Sequence, residues 1–196
     1  MKKVILIAIV FAAIASSCKG PVRLVRGPVD PIKGQAIMEV RFTYENMQVN
    51  RLPEADYIRQ RQERAARGNE GAEGWLERWT NYKTDLYEPQ FIDRFNRYTE
   101  HHGILLDKEF DDSDYILIVN TYFIDTGMFA GVRNKEAVIK ATATFVRRDA
   151  PNNPIVVFDI TKAHGAMPAP DKGIRIQMAY AQAGRLLSTE LTRALK

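Results

Sequence analysis

Residues 115–124, Tyr-Ile-Leu-Ile-Val-Asn-Thr-Tyr-Phe-Ile, constrain this chain more than any other stretch. In an extended backbone Ile116, Ile118 and Ile124 point one way, and Tyr115, Leu117, Val119 and Phe123 point the other. Both faces are apolar, so the segment predicts a central strand covered on both sides. The neighbouring segments have one-faced patterns. In Ala36–Tyr44, Met38, Val40 and Phe42 alternate with Glu39, Arg41 and Thr43, which predicts a half-buried first strand. Ile104–Phe110 reads as a short strand. Ala137–Val146 alternates Ile139, Ala141, Ala143 and Phe145 with Lys140, Thr142 and Thr144. Asp149-Ala-Pro-Asn-Asn-Pro154 reads as a turn leading into a last strand, Ile155–Thr161.

Helical periodicity fills the intervals. Pro53 suits the first position of a helix running to about Ala66, with Glu54 and Asp56 at its positive end. The glycines of Arg67–Gly74 break it. Trp75, Trp79, Tyr82 and Leu86 then recur at helical spacing, a stripe that predicts core rather than a sugar-stacking platform. Pro89 opens a third helix with Phe91, Ile92, Phe95 and Tyr98 on its lining face, ended by His101-His102-Gly103. Ile174–Leu195 is a long C-terminal helix, with Ile176, Tyr180, Ala183, Leu187 and Leu191 on one stripe. A strand–helices–strand start favours a parallel crossover, and the short later links favour an antiparallel meander. The expected class is α/β in the mixed α+β sense: a mixed parallel/antiparallel sheet of about five strands with packed helices.

The N-terminus carries the clearest functional signal. Lys2 and Lys3 precede an apolar run, Val4–Ile14, and the small residues Ala15, Ser16 and Ser17 lead to Cys18, the single cysteine of the chain. The run is too short for the roughly 20 residues of a membrane-spanning helix, and the order is that of a secretory signal. Ala15-Ser16-Ser17-Cys18 resembles the lipobox of bacterial lipoproteins, which implies removal of residues 1–17 and lipidation of Cys18. The alternatives are a plain secretory signal or an uncleaved anchor. With one cysteine no internal disulfide is possible, so the fold must rest on its core. Lys19–Gln35 is rich in glycine and proline and reads as a tether over residues 18–35, able to reach about 55 Å if fully extended. The other possibility is that Val22, Leu24 and Val25 pair as an edge strand. Residues 36–196 are expected to form a single domain. The net charge of +4 falls to about +2 once Lys2 and Lys3 are removed, with acids and bases interleaved, so nucleic acid is not an expected partner.

The acidic turn before Tyr115-Ile-Leu-Ile-Val119, the Thr126-Gly127 exit, the Ala141–Phe145 strand and Ala179-Tyr-Ala-Gln-Ala-Gly184 resemble a group of uncharacterised lipoproteins of Bacteroidetes-type bacteria. Glu73-Gly-Trp75 and Tyr87-Glu-Pro89 are similar to that group as well. The resemblance covers most of 36–196 and implies a cell-envelope lipoprotein, on the outer membrane and facing the periplasm or the cell surface. It imports no active site. The order of elements is more distantly similar to periplasmic lipoprotein domains of the curli-secretion type, at the level of fold only.

Catalytic patterns are sparse. His101-His102 point in two directions from a helix, Asp111, Asp112 and Asp114 lack the glycine and distal glutamate of a calcium loop, and no Gly-x-Ser-x-Gly elbow or phosphate loop occurs. No cofactor or metal is implied, and the expectation is a non-catalytic binding or scaffold domain. The alternative is a hydrolase or metal-dependent enzyme using His164 with Asp125 or Asp171. The exits of two parallel-running strands, Asp125–Lys135 and Ala163–Gly173, carry Met128, Phe129 and Met167. These form either a surface for an envelope partner or a cap folded back onto the core.

Overall fold

A computed structural model describes residues 20–68, 71–166 and 169–196. Cys18 and the expected signal segment, residues 1–17, therefore lie outside the described residues, as does Met167. The elements in chain order are β1 (Val22–Arg26), β2 (Ile37–Thr43), β3 (Gln48–Val49), β4 (Leu52–Pro53), α1 (Glu54–Ala65), α2 (Ala72–Tyr82) and α3 (Glu88–Thr99). They continue with β5 (Leu105–Asp107), β6 (Tyr115–Asp125), β7 (Met128–Ala130), β8 (Arg133–Lys135), β9 (Val138–Arg147), β10 (Ala150–His164) and α4 (Lys172–Ala194). The fold is mixed α+β, as the sequence patterns predict.

The main sheet has the order β1-β10-β9-β6-β2-β5, with the β3–β4 pair attached beside β6. β6 is central and runs parallel to β2, which is in turn parallel to β5. β6, β9 and β10 form the expected antiparallel meander. Met38, Val40, Leu117, Val119, Ala141, Ala143, Phe145, Val156, Phe158 and Ile160 are buried on one face, against α3 and α4. The C-terminal helix begins at Asp171, whose side chain accepts from the Ile174 amide at 2.9 Å. It crosses α3 so closely at Gly184 that a Cβ there would overlap the Phe91 carbonyl oxygen.

Three expectations change. First, β6 is covered by helices on one face only. Ile118, Asn120 and Tyr122 on its other face are half-exposed, beside the half-exposed Thr142, Thr144 and Asp159. Ile116, on that face too, is buried at the end where the Asp111–Asp114 turn is pinned. The pin is Glu39, only 6% exposed, which binds Arg41 and receives the Arg148 guanidinium at 2.6 Å. Arg148 also donates to the carbonyls of Ser113 and Phe110 at 2.7 and 3.0 Å. Burial works against the Glu39 carboxylate, but Arg41 and Arg148 outweigh it and hold the carboxyl below its ordinary range.

Second, Val22–Arg26 is not part of a free tether. It is the edge strand β1, paired with β10 from Val22↔Ile160 to Arg26↔Val157, and Arg23 reaches Asp159 at 2.8 Å. The prolines and glycines that suggested an open linker sit at the strand's margins, where no ladder amide is needed. Third, β10 already begins at Ala150, so the turn before it is shorter than Asp149–Pro154. Two register shifts, either side of Pro154, absorb the irregularity within the strand.

An aromatic pocket at the start of the C-terminal helix

The stripe of α2 does not continue to Leu86. Residues Lys83–Tyr87 form one π turn between α2 and α3, in which the backbone bonds span five residues. The extra residue rotates the stripe by one position. Tyr87 therefore takes the inward place that regular helical spacing gives to Leu86: Tyr87 is 0% exposed, whereas Leu86 is half-buried. The turn also joins directly to α3, with Pro89 in that helix's first turn.

This rotation builds a pocket of about 400 Å³ between α2 and the first residues of α4, lined by Trp75, Trp79, Tyr82, Tyr87 and the segment Pro170–Gly173. The two indoles stack with centroids 5.9 Å apart and planes 12° from parallel. Tyr57 of α1 packs on both, at 6.1 and 5.3 Å. Trp79 is core, 5% exposed, and its indole N–H donates to Glu54 at 2.8 Å. Trp75 is only half-buried, so the core assignment holds for Trp79 and is partial for Trp75. Gly173 must lack a side chain, because a Cβ would overlap the Tyr82 ring.

Two polar groups on this pocket are out of balance. The Tyr87 hydroxyl is buried and has no hydrogen-bond partner, an arrangement that costs about 1–3 kcal/mol when it stays unsatisfied. Burial, with Tyr180 and Tyr82 as neighbours, raises its pKa. Lys172, at the first helical position of α4, places its ammonium over the rings of Tyr57 and Trp75 at 5.9 and 6.0 Å and donates to the Tyr57 hydroxyl at 3.3 Å. Burial, then the guanidiniums of Arg61 and Arg175, lowers its pKa to about 8, and Asp171 offsets this only in part. The Asp171 carboxylate is itself engaged by the Ile174 amide. The pocket thus joins aromatic faces to the Lys172 ammonium and an unanswered hydroxyl.

Of the candidate site residues singled out in the sequence, Asp171 lines this pocket, while Met128, Phe129, His164 and Asp125 lie elsewhere. Met128 and Phe129 are 45% and 46% exposed on the β7–β8 hairpin, which excludes a core-capping role for these two. His164 pairs with Glu136 at 3.3 Å, and Asp125 is engaged by Lys135 and the Gly127 amide, while Asp171 caps α4. Among the described residues, no group of three or more His, Cys, Asp or Glu side chains is placed to hold a metal ion. No described helix is long and apolar enough to cross a membrane. The pocket escaped sequence reading because Tyr87 enters it only through the π turn, and Lys172 approaches from 85 positions further along the chain. No family model, curated protein or solved structure matches the chain.

Proposed function

We propose that this is a lipid-anchored protein of the bacterial envelope, attached through Cys18, whose domain binds a small anionic ligand with a ring face in the Trp75–Tyr87–Lys172 pocket. The anchor reading rests on the Lys2-Lys3, Val4–Ile14, Ala15–Cys18 order. One observation carries the ligand reading: the buried Tyr87 hydroxyl without a partner, on a pocket that Lys172 also lines. A carboxylate or phosphate would accept from Lys172 and, once the side chains over the buried Tyr87 hydroxyl move aside, from Tyr87, and a ring would lie against the exposed part of Trp75. The role proposed is binding rather than catalysis.

The test is titration of the protein's two tryptophans by fluorescence, using glucuronate and glucose 6-phosphate with uncharged glucose as control. Saturable quenching by an anionic probe, weakened in Lys172→Met and Tyr87→Phe, supports the reading. Equal responses to glucose and to the anions, or none to any of the three, refutes the ligand assignment. Fatty-acid labelling of the wild-type chain and of Cys18→Ser tests the anchor separately: label retained by the serine variant refutes it.

A further inference from the structure

We infer that the β7–β8 hairpin is a second membrane contact, inserting Met128, Phe129 and Val132 into the phospholipid leaflet that holds the lipid on Cys18; this rests on the anchor reading above. The hairpin follows β6 at the end of the sheet where Asp125, Val138 and His164 lie side by side in register. The start of β1 is at the same end, since the Pro21 carbonyl accepts from the Thr161 amide at 2.9 Å. β1 stands two strands from β9 and three from β6, about 10–14 Å at the usual strand spacing. Only Lys19 separates Cys18 from Gly20, so the lipidated residue lies within about 7 Å of the start of the described chain. A 55 Å tether would leave the domain's orientation free. The short link presents this end of the sheet to the membrane.

The hairpin is chemically suited to that surface. Val132 at its tip is 100% exposed, and Met128 and Phe129 beside it are each exposed over nearly half of their surface. The exposed cations Arg133 and Lys162 stand at the same end, where they face anionic headgroups. The base of the hairpin is rigid. Lys135 pairs with Asp125, and Gly127, at φ 64°, fits against the Lys135 carbonyl where no Cβ could. An apolar tip with flanking cations supplies a second contact beside the lipid on Cys18 and would fix how the domain is oriented on the leaflet.

Lipidation consumes the only native thiol, so Phe129→Cys in the full lipidated chain offers one site for an environment-sensitive label; Thr189→Cys on exposed α4 is the control. Both are reconstituted in phosphatidylethanolamine–phosphatidylglycerol vesicles. The expected result is blue-shifted emission at position 129, quenched by spin-labelled lipid and shielded from iodide, with a water-like signal at 189. A water-like signal at 129 on protein carrying fatty acid overturns the contact and leaves the anchor reading standing. A blue shift at 129 without lipid quenching marks a protein contact instead and also overturns it. Absence of fatty acid on Cys18 overturns both readings.

Discussion

Tyr87 lies flat against Tyr180, with ring centroids 5.2 Å apart and planes 12° from parallel, yet only one of the two hydroxyls has a partner. Tyr180 donates to Thr121 at 2.9 Å, and Tyr87 donates to nothing. Removing the unpaired group should therefore relieve strain. Tyr87→Phe is expected to raise the melting temperature by about 2–4 °C for each of the roughly 1–3 kcal/mol involved, while weakening anion binding. Thermal melts with and without ligand measure both. A fall in stability would show that the hydroxyl is satisfied.

The two tryptophans should separate. Trp79→Ala removes a buried ring and leaves Glu54 without its indole donor, at an expected cost of about 3–5 kcal/mol. Trp75→Ala, at a half-buried position, should leave a cooperative melt and lose most of the fluorescence response to the anionic probes. Equal destabilisation by the two variants would place Trp75 in the core as well.

Lys172 predicts an unusual alkaline arm in the stability curve. Its pKa in the folded protein is about 8 against an ordinary 10.5, so above pH 8 the unfolded chain binds the extra proton. Stability then rises with pH through this window. Tyr44, Tyr87 and Tyr180 act oppositely: burial raises their pKa values, so their contribution is present below pH 10 and is lost above it. Denaturation midpoints between pH 7 and 11 should climb from about 8 and turn down past about 10. In Lys172→Met the climb should vanish.

Glu39 governs the acid limb. Its lowered pKa means that its contribution is full above the ordinary value of 4.5 and disappears as pH falls through the folded value. Glu39→Gln should cost about 2–4 kcal/mol at pH 7, the lower end applying because Arg148 is 32% exposed. At pH 2 the variant and the wild type should converge in urea titrations.

The central strand, the parallel crossover and the C-terminal helix were legible because each has a long, strict apolar period, as in Leu117-x-Val119 and Ile176, Tyr180, Ala183. Glu39 was not: it occupies a polar position in an alternating strand, and its burial is tolerable only because Arg148, 109 residues away, joins Arg41 in pairing with it. Leu86 fits the helical period better than Tyr87, and a π turn leaves no mark in composition. β1 was hidden for a different reason. Its residues are good strand formers, but Gly20, Pro21, Gly27 and Pro28 surround them, and a tether has the same look until a partner strand is known. Of the hairpin, the sequence showed apolar residues in a loop, without the turn that presents them.

Since β1 is the first strand in the chain and its neighbour β10 is the last, Arg23 meets Asp159 across 136 positions. During synthesis from the N-terminus, that edge has nothing to pair with until nearly the entire domain has emerged. Every other strand of the sheet can find its neighbour sooner, so the seam between first and last closes at the end of folding. On the proposed anchoring, β1 therefore stays unpaired through the period in which processing enzymes would act at Cys18. Once the seam closes, the same residues would hold the finished domain close to that proposed point of attachment.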